Sequence, residues 1–74
     1  MKVVYQFIVE SLFNEQLGYY DSCTITVIAS DGKILEQVQD AFINPIDADR
    51  FVEKCNKHQL MPVHLKDVLL GSIP

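Results

Sequence analysis

The hydrophobic period of this chain changes once, and that change limits the folds open to it. From Val3 to about Gln39 apolar residues favour every second position; from Asp47 to Leu70 they recur three and four apart. Strands gathered at one end and helices at the other imply an α+β domain: a sheet built from consecutive hairpins, covered on one face by the helices that follow. The 74 residues leave room for one such core, so residues 1–74 read as a single small domain.

Val3, Tyr5, Phe7 and Val9 alternate with Val4, Gln6, Ile8 and Glu10, which predicts a strand with its stronger apolar face on the odd positions. Ser11 to Gly18 reads as a connection, although Leu12, Phe13 and Leu17 make it unusually apolar. A second strand is expected over residues 19–29, with Cys23, Ile25, Val27 and Ala29 on one side and Thr24, Thr26 and Ile28 on the other. Asp31-Gly32 predicts a two-residue hairpin with positive φ at both turn positions, followed by a third strand over residues 33–39. That turn sets Ala29 opposite Ile34, Val27 opposite Glu36 and Ile25 opposite Val38. Glu36 interrupts the apolar face, as an inward charge does on an edge strand; the competing reading is a buried acid in a pocket.

Asp47 is the expected N-cap of the first helix, with Ala48, Asp49 and Arg50 as its first turn and Ile46 and Phe51 as a hydrophobic staple. Asp49 near its start and Lys57 and His58 near its end complement the helix dipole. Phe51, Val52 and Cys55 share its inner face. Pro62 ends this helix and suits the first position of a second, over residues 63–70, with Gly71 as its C-terminal cap and Leu65, Val68 and Leu69 facing inward. The fold predicted is therefore a three-stranded antiparallel meander followed by two C-terminal helices packed on one face (βββαα). If those helices cover the odd-numbered face of the first strand, Val4, Ile8, Ile28 and Leu35 lie on the uncovered side. Monomers rarely leave a large apolar patch in water, so a homodimer or protein partner through that face or the sheet edge is expected.

Composition agrees. A chain of this length buries only about 60% of its unfolded surface and needs support from a disulfide, a metal or a partner. Apolar residues make up 49% and charged residues 22%, a balance that favours self-association over a fully solvated monomer. The net charge of −4 is concentrated in residues 1–43, which hold two lysines against six carboxylates; residues 44–74 are balanced. With no basic stripe, the chain is a poor fit to nucleic acid. The N-terminal apolar run is broken by Gln6 and reads as a strand rather than a leader, and no run approaches membrane-spanning length, so a cytoplasmic location is expected. Cys23 and Cys55 are expected as free, buried thiols.

Side chains able to carry chemistry cluster at Cys55, His58, His64 and Asp67. Cys55 and His58 are one helical turn apart, as are His64 and Asp67, which allows a metal site in which four such groups converge. Against it, Cys55 shares the apolar face of Phe51 and Val52, where a cysteine acts as a small core residue. A Cys55–histidine–Asp67 nucleophilic arrangement would need an exposed thiolate and a substrate cleft, for which so small a domain has little room. The three glycines are scattered and form no phosphate loop, so no catalytic residue is assigned and no cofactor expected.

The run from Cys55-Asn56 through Leu60, Pro62, His64-Leu65 and Asp67-Val68 resembles that of a family of small proteins from clostridia and related Firmicutes, classed as a domain of unknown function. Its members carry a C-N-x-x-x-L-x-P-x-H-L-x-D-V pattern, an N-terminal V-E segment, echoed by Val9-Glu10, and an I-x-x-D helix start, echoed by Ile46 to Asp49. Only the C-terminal run is specific. Where members place a serine cap before the proline, this chain has Met61. The resemblance implies a bacterial protein and supplies no mechanism. The expectation is a small cytoplasmic, non-enzymatic interaction or regulatory module that self-associates; the alternative is a small metal- or ligand-binding protein using Cys55, His58, His64 and Asp67.

Overall fold

A computed structural model describes residues 2–71 of the chain. Three antiparallel strands, β1 (Val3–Asn14), β2 (Gly18–Ala29) and β3 (Ile34–Phe42), form one sheet in the order β1-β2-β3. Helix α1 (Pro45–His58), a 3-10 turn (Pro62–His64) and helix α2 (Leu65–Gly71) follow. This is the expected βββαα arrangement.

The first hairpin is longer than its sequence suggested. Residues 11–14 continue β1, so Leu12 opposes Tyr20 and Phe13 opposes Tyr19, their two rings 5.1 Å apart. Leu12 and Phe13, misplaced in a connection, are strand residues, whereas Leu17 stays in the loop, which shrinks to residues 15–17. Asn14 closes it, its Oδ1 accepting from the backbone N–H of Gln16 (2.8 Å) and Leu17 (3.2 Å), while Gly18 takes φ 76°.

The second hairpin corrects the turn. Ala29 N–H donates to the Lys33 carbonyl (2.8 Å), so the loop holds three residues and only Gly32, at φ 89°, is left-handed. Asp31 instead accepts from the Lys33 N–H, an Asx bond that the two-residue turn ignored. The extra loop residue puts Ile28, not Ala29, opposite Ile34. A bulge at Leu35 then restores the register, so Val27 faces Glu36 and Ile25 faces Val38 as expected. A second irregularity lies between Val38 and Phe42, where Asp40 adopts φ 55°. It lets β3 run on to Phe42, past the expected end at Gln39.

The helices cover the odd-numbered face. Val3, Tyr5, Cys23, Ile25, Val27, Ala48, Cys55 and Leu65 form the buried core, with Phe51, Val52, Leu60 and Leu69 packed against it. The cap of α1 is not Asp47 but Asn44, whose Oδ1 accepts from Ile46 N–H (2.9 Å); Pro45 occupies the first helical position, where its missing donor costs nothing. Asp47 is thereby a first-turn acid, and Ile46 is exposed instead of bracing Phe51 as a staple. At the other end Gln59 is left-handed, Leu60 N–H bonds the Cys55 carbonyl (3.1 Å) and Gln59 N–H bonds that of Asn56 (3.4 Å), a Schellman closure without glycine. Pro62 starts the 3-10 turn with no side-chain cap from Met61. Gly71 is the last residue of α2, so a capping role beyond it falls outside the described residues.

One junction ties the helical layer to the sheet. The Asn56 side chain accepts from Tyr5 N–H through Oδ1 (2.8 Å) and donates to the Tyr5 carbonyl through Nδ2 (3.0 Å). The Tyr5 hydroxyl reaches past it to donate to the Leu60 carbonyl (2.7 Å). Each such bond contributes on the order of 1 kcal/mol net. Together they fix where α1 ends over β1.

Candidate interaction surface

The uncovered side of the sheet has a polar centre flanked by apolar residues. Ser22, Thr24 and Thr26 of the central strand are buried although no helix lies over them, because longer neighbours on β1 and β3 flank them. Each hydroxyl is partnered. Thr24 donates to Glu10, Gln37 Nε2 donates to Thr26 (3.4 Å), and Ser22 donates to Asp40 Oδ1 (2.5 Å). Asp40 Oδ2 also accepts from the Tyr20 hydroxyl (3.0 Å), a bond to a carboxylate that raises the Tyr20 pKa, with burial and the Asp40 charge adding to it. The left-handed bend at Asp40 serves this network.

The apolar residues lie to either side. Val4 is 46% exposed, Ile8 47% and Leu35 41%, while Ile28 is half-buried. The register aligns Val4, Ile28 and Ile34 as one cross-strand row, so the three-residue turn brings Ile34, not foreseen from the sequence, into this surface. At the far end of the first hairpin Phe13, Leu17 and Tyr19 are exposed as well. Reading residues 11–18 as a connection hides Phe13 and Leu17 from the sequence-based surface, whereas Tyr19 falls in the expected second strand; the signal for the longer hairpin is the run Leu12-Phe13 itself.

The chemistry-bearing residues of the C-terminal third do not gather. Cys55 is buried in the core, and burial raises its thiol pKa, opposite to what a nucleophile or metal-binding thiolate needs. His58, His64 and Asp67 are exposed on separate turns. His58 borders a shallow, largely apolar groove of about 290 Å³ with Phe51, Cys55, Leu60 and Val68, but no carboxylate lines it. Among the described residues no three His, Cys, Asp or Glu side chains are placed to hold a metal ion together. Both cysteines are free.

Glu36 faces the helical layer, half-buried, with its Oε1 3.8 Å from Lys66 Nζ on α2. It is the inward charge of an edge strand, not a pocket acid. Val68, expected to face inward, is partly exposed, whereas Leu65 is fully buried and Leu69 packs on the core. No described helix is long and apolar enough to cross a membrane. In comparisons with known proteins, no family model, no curated protein and no solved structure matches this chain.

Proposed function

We propose that this chain is a non-enzymatic interaction module that works by self-association. The observation that carries the reading is the apolar row left on the side of the sheet without helices: Val4, Ile34 and Leu35, well exposed beside half-buried Ile28, with exposed Ile8 farther along β1. A domain of this size has little spare stability to keep such a surface in water, and association with a second copy, over that face or along the β1 edge that Val4 and Ile8 border, lowers that cost. Two further features support a binding role over a catalytic one. The Cys55 thiol is sequestered in the core, and the two histidines are exposed on separate turns. Light scattering on the purified chain tests the proposal: a dimer mass at high micromolar concentration is expected, and a monomer mass across the accessible range would overturn it.

A further inference from the structure

The two edges of the sheet are unequal, and their difference identifies where a second copy attaches. The β3 edge is irregular: a bulge at Leu35, a left-handed residue at Asp40 and the inward Glu36, held by Lys66. Bulges and inward charges are devices that make an edge a poor template for another strand. The β1 edge has neither. Its register with β2 runs without a shift from Val3 to Asn14, and this strand carries a single charge, Glu10, with no lysine and no proline.

The hydrogen bonds of Asn56 reveal which β1 groups face outward. Because Asn56 takes both the N–H and the C=O of Tyr5, these groups point away from β2. In an antiparallel ladder the direction alternates residue by residue, and the unbroken register carries that alternation along the strand. Phe7, Val9 and Ser11 therefore direct their N–H and C=O groups to the open edge, where among the described residues no side chain plays the part of Asn56. Val9, at the middle of this stretch, is 52% exposed, beyond the cover of the helices.

We infer that β1 pairs antiparallel with β1 of a second copy of this chain, about a two-fold axis at Val9. The inference rests on the self-association proposed above and assigns its contact. Such a pairing is self-complementary: Val9 meets its twin, Phe7 meets Ser11 of the other copy, and the three bonded pairs supply about six hydrogen bonds at two per pair. An axis one residue later would set Glu10 directly against Glu10; the Val9 axis sets it against Ile8 instead. The next bonded pair would need Tyr5, whose backbone Asn56 already holds, so the ladder has a defined end.

Val9→Pro tests this directly, since it deletes one outward N–H without touching the bonds to β2 and proline is tolerated at such edge positions. Its control is Ile34→Lys/Leu35→Lys, which places charges on the apolar surface at β3, across the sheet from the open β1 edge. The expected result by light scattering is a wild-type dimer, a monomeric Val9→Pro with native circular dichroism, and a dimeric lysine variant. A dimeric, folded Val9→Pro overturns the edge pairing; if the lysine variant is then monomeric, association runs through the face and the broader proposal stands. A monomeric wild type removes both. Should Val9→Pro fail to fold, amide exchange on the wild type decides: Phe7, Val9 and Ser11 amides become protected as the dimer forms, and fast exchange in the dimer refutes the pairing.

Discussion

Replacing Asn56 by alanine should loosen the joint between helix and sheet while leaving both elements formed. The substitution removes two hydrogen bonds, 2.8 and 3.0 Å long, from a partly buried site. At about 1 kcal/mol each the loss is about 2 kcal/mol. Alanine's better helix propensity returns roughly 0.5 kcal/mol, for a net destabilisation of about 1.5 kcal/mol. A domain of this size has a total stability of about 4–11 kcal/mol, so the effect is a sizeable fraction of it. At roughly 4–8 °C per kcal/mol it lowers Tm by about 6–12 °C. Urea unfolding followed by circular dichroism measures the free energy, with Lys57→Ala, one residue along on the exposed face of α1, as the control. Amide exchange gives the local readout: Tyr5 N–H, held by the Asn56 side chain rather than by a strand, should lose protection in Asn56→Ala. A loss of stability under about 0.5 kcal/mol, or an unchanged Tyr5 amide, refutes the clamp and with it the assignment of which β1 groups point outward.

Three other outcomes follow from the same geometry. Burial, with a smaller contribution from the Cys55 thiolate, pushes the Tyr5 hydroxyl from its ordinary 10.0 up to about 12. The folded state thus favours the neutral phenol: this contribution to stability is complete below pH 10 and is lost as pH rises through about 12, and Tyr5→Phe should flatten the alkaline limb of the stability–pH curve as well as lowering stability at neutral pH by about 1 kcal/mol. Gln59→Gly should raise stability by about 0.5–1 kcal/mol in a urea melt, because glycine takes the left-handed cap at φ 49° without the Cβ penalty; a destabilised variant would show that the Gln59 side-chain bond to the Asn56 carbonyl (2.8 Å) outweighs the strain. Cys55, buried and with its thiol pKa raised, should react with a disulfide reagent in the folded protein at least tenfold more slowly than in urea, and equal rates would contradict its place in the core.

The sequence read well wherever period alone decides the outcome. Alternation in Val3 to Val9 and the three-four spacing of Phe51, Val52 and Cys55 assigned both faces correctly, since burial of an amphipathic surface leaves few alternatives. It read poorly where a single local bond decides. Asn44-Pro45 is a helix start as clear as any, but the aspartate at Asp47 competes for the same role, and only the Ile46 N–H shows which side chain wins. Likewise Asp31-Gly32 fits a two- or a three-residue loop, and the choice turns on whether Asp31 bonds the Lys33 N–H. The bulge at Leu35 has no signature of its own; it compensates a slip that the turn introduces. Asn56 enters the sequence reading only as a member of the Cys55-Asn56 run, with no structural role attached. Its meaning lies in Tyr5, fifty-one positions away, and no local pattern connects the two.

The irregularities of β3 have a consequence for growth. A sheet with two usable edges can add copies head to tail without limit, β1 of one against β3 of the next, and such open assemblies become fibres. With Leu35, Glu36 and Asp40 spoiling one side, each copy offers a single attachment point. If copies join through the β1 edge as inferred above, one step uses both available edges and the assembly stops at two, because the bulge at Leu35, the inward Glu36 and the bend at Asp40 leave β3 a poor second attachment point.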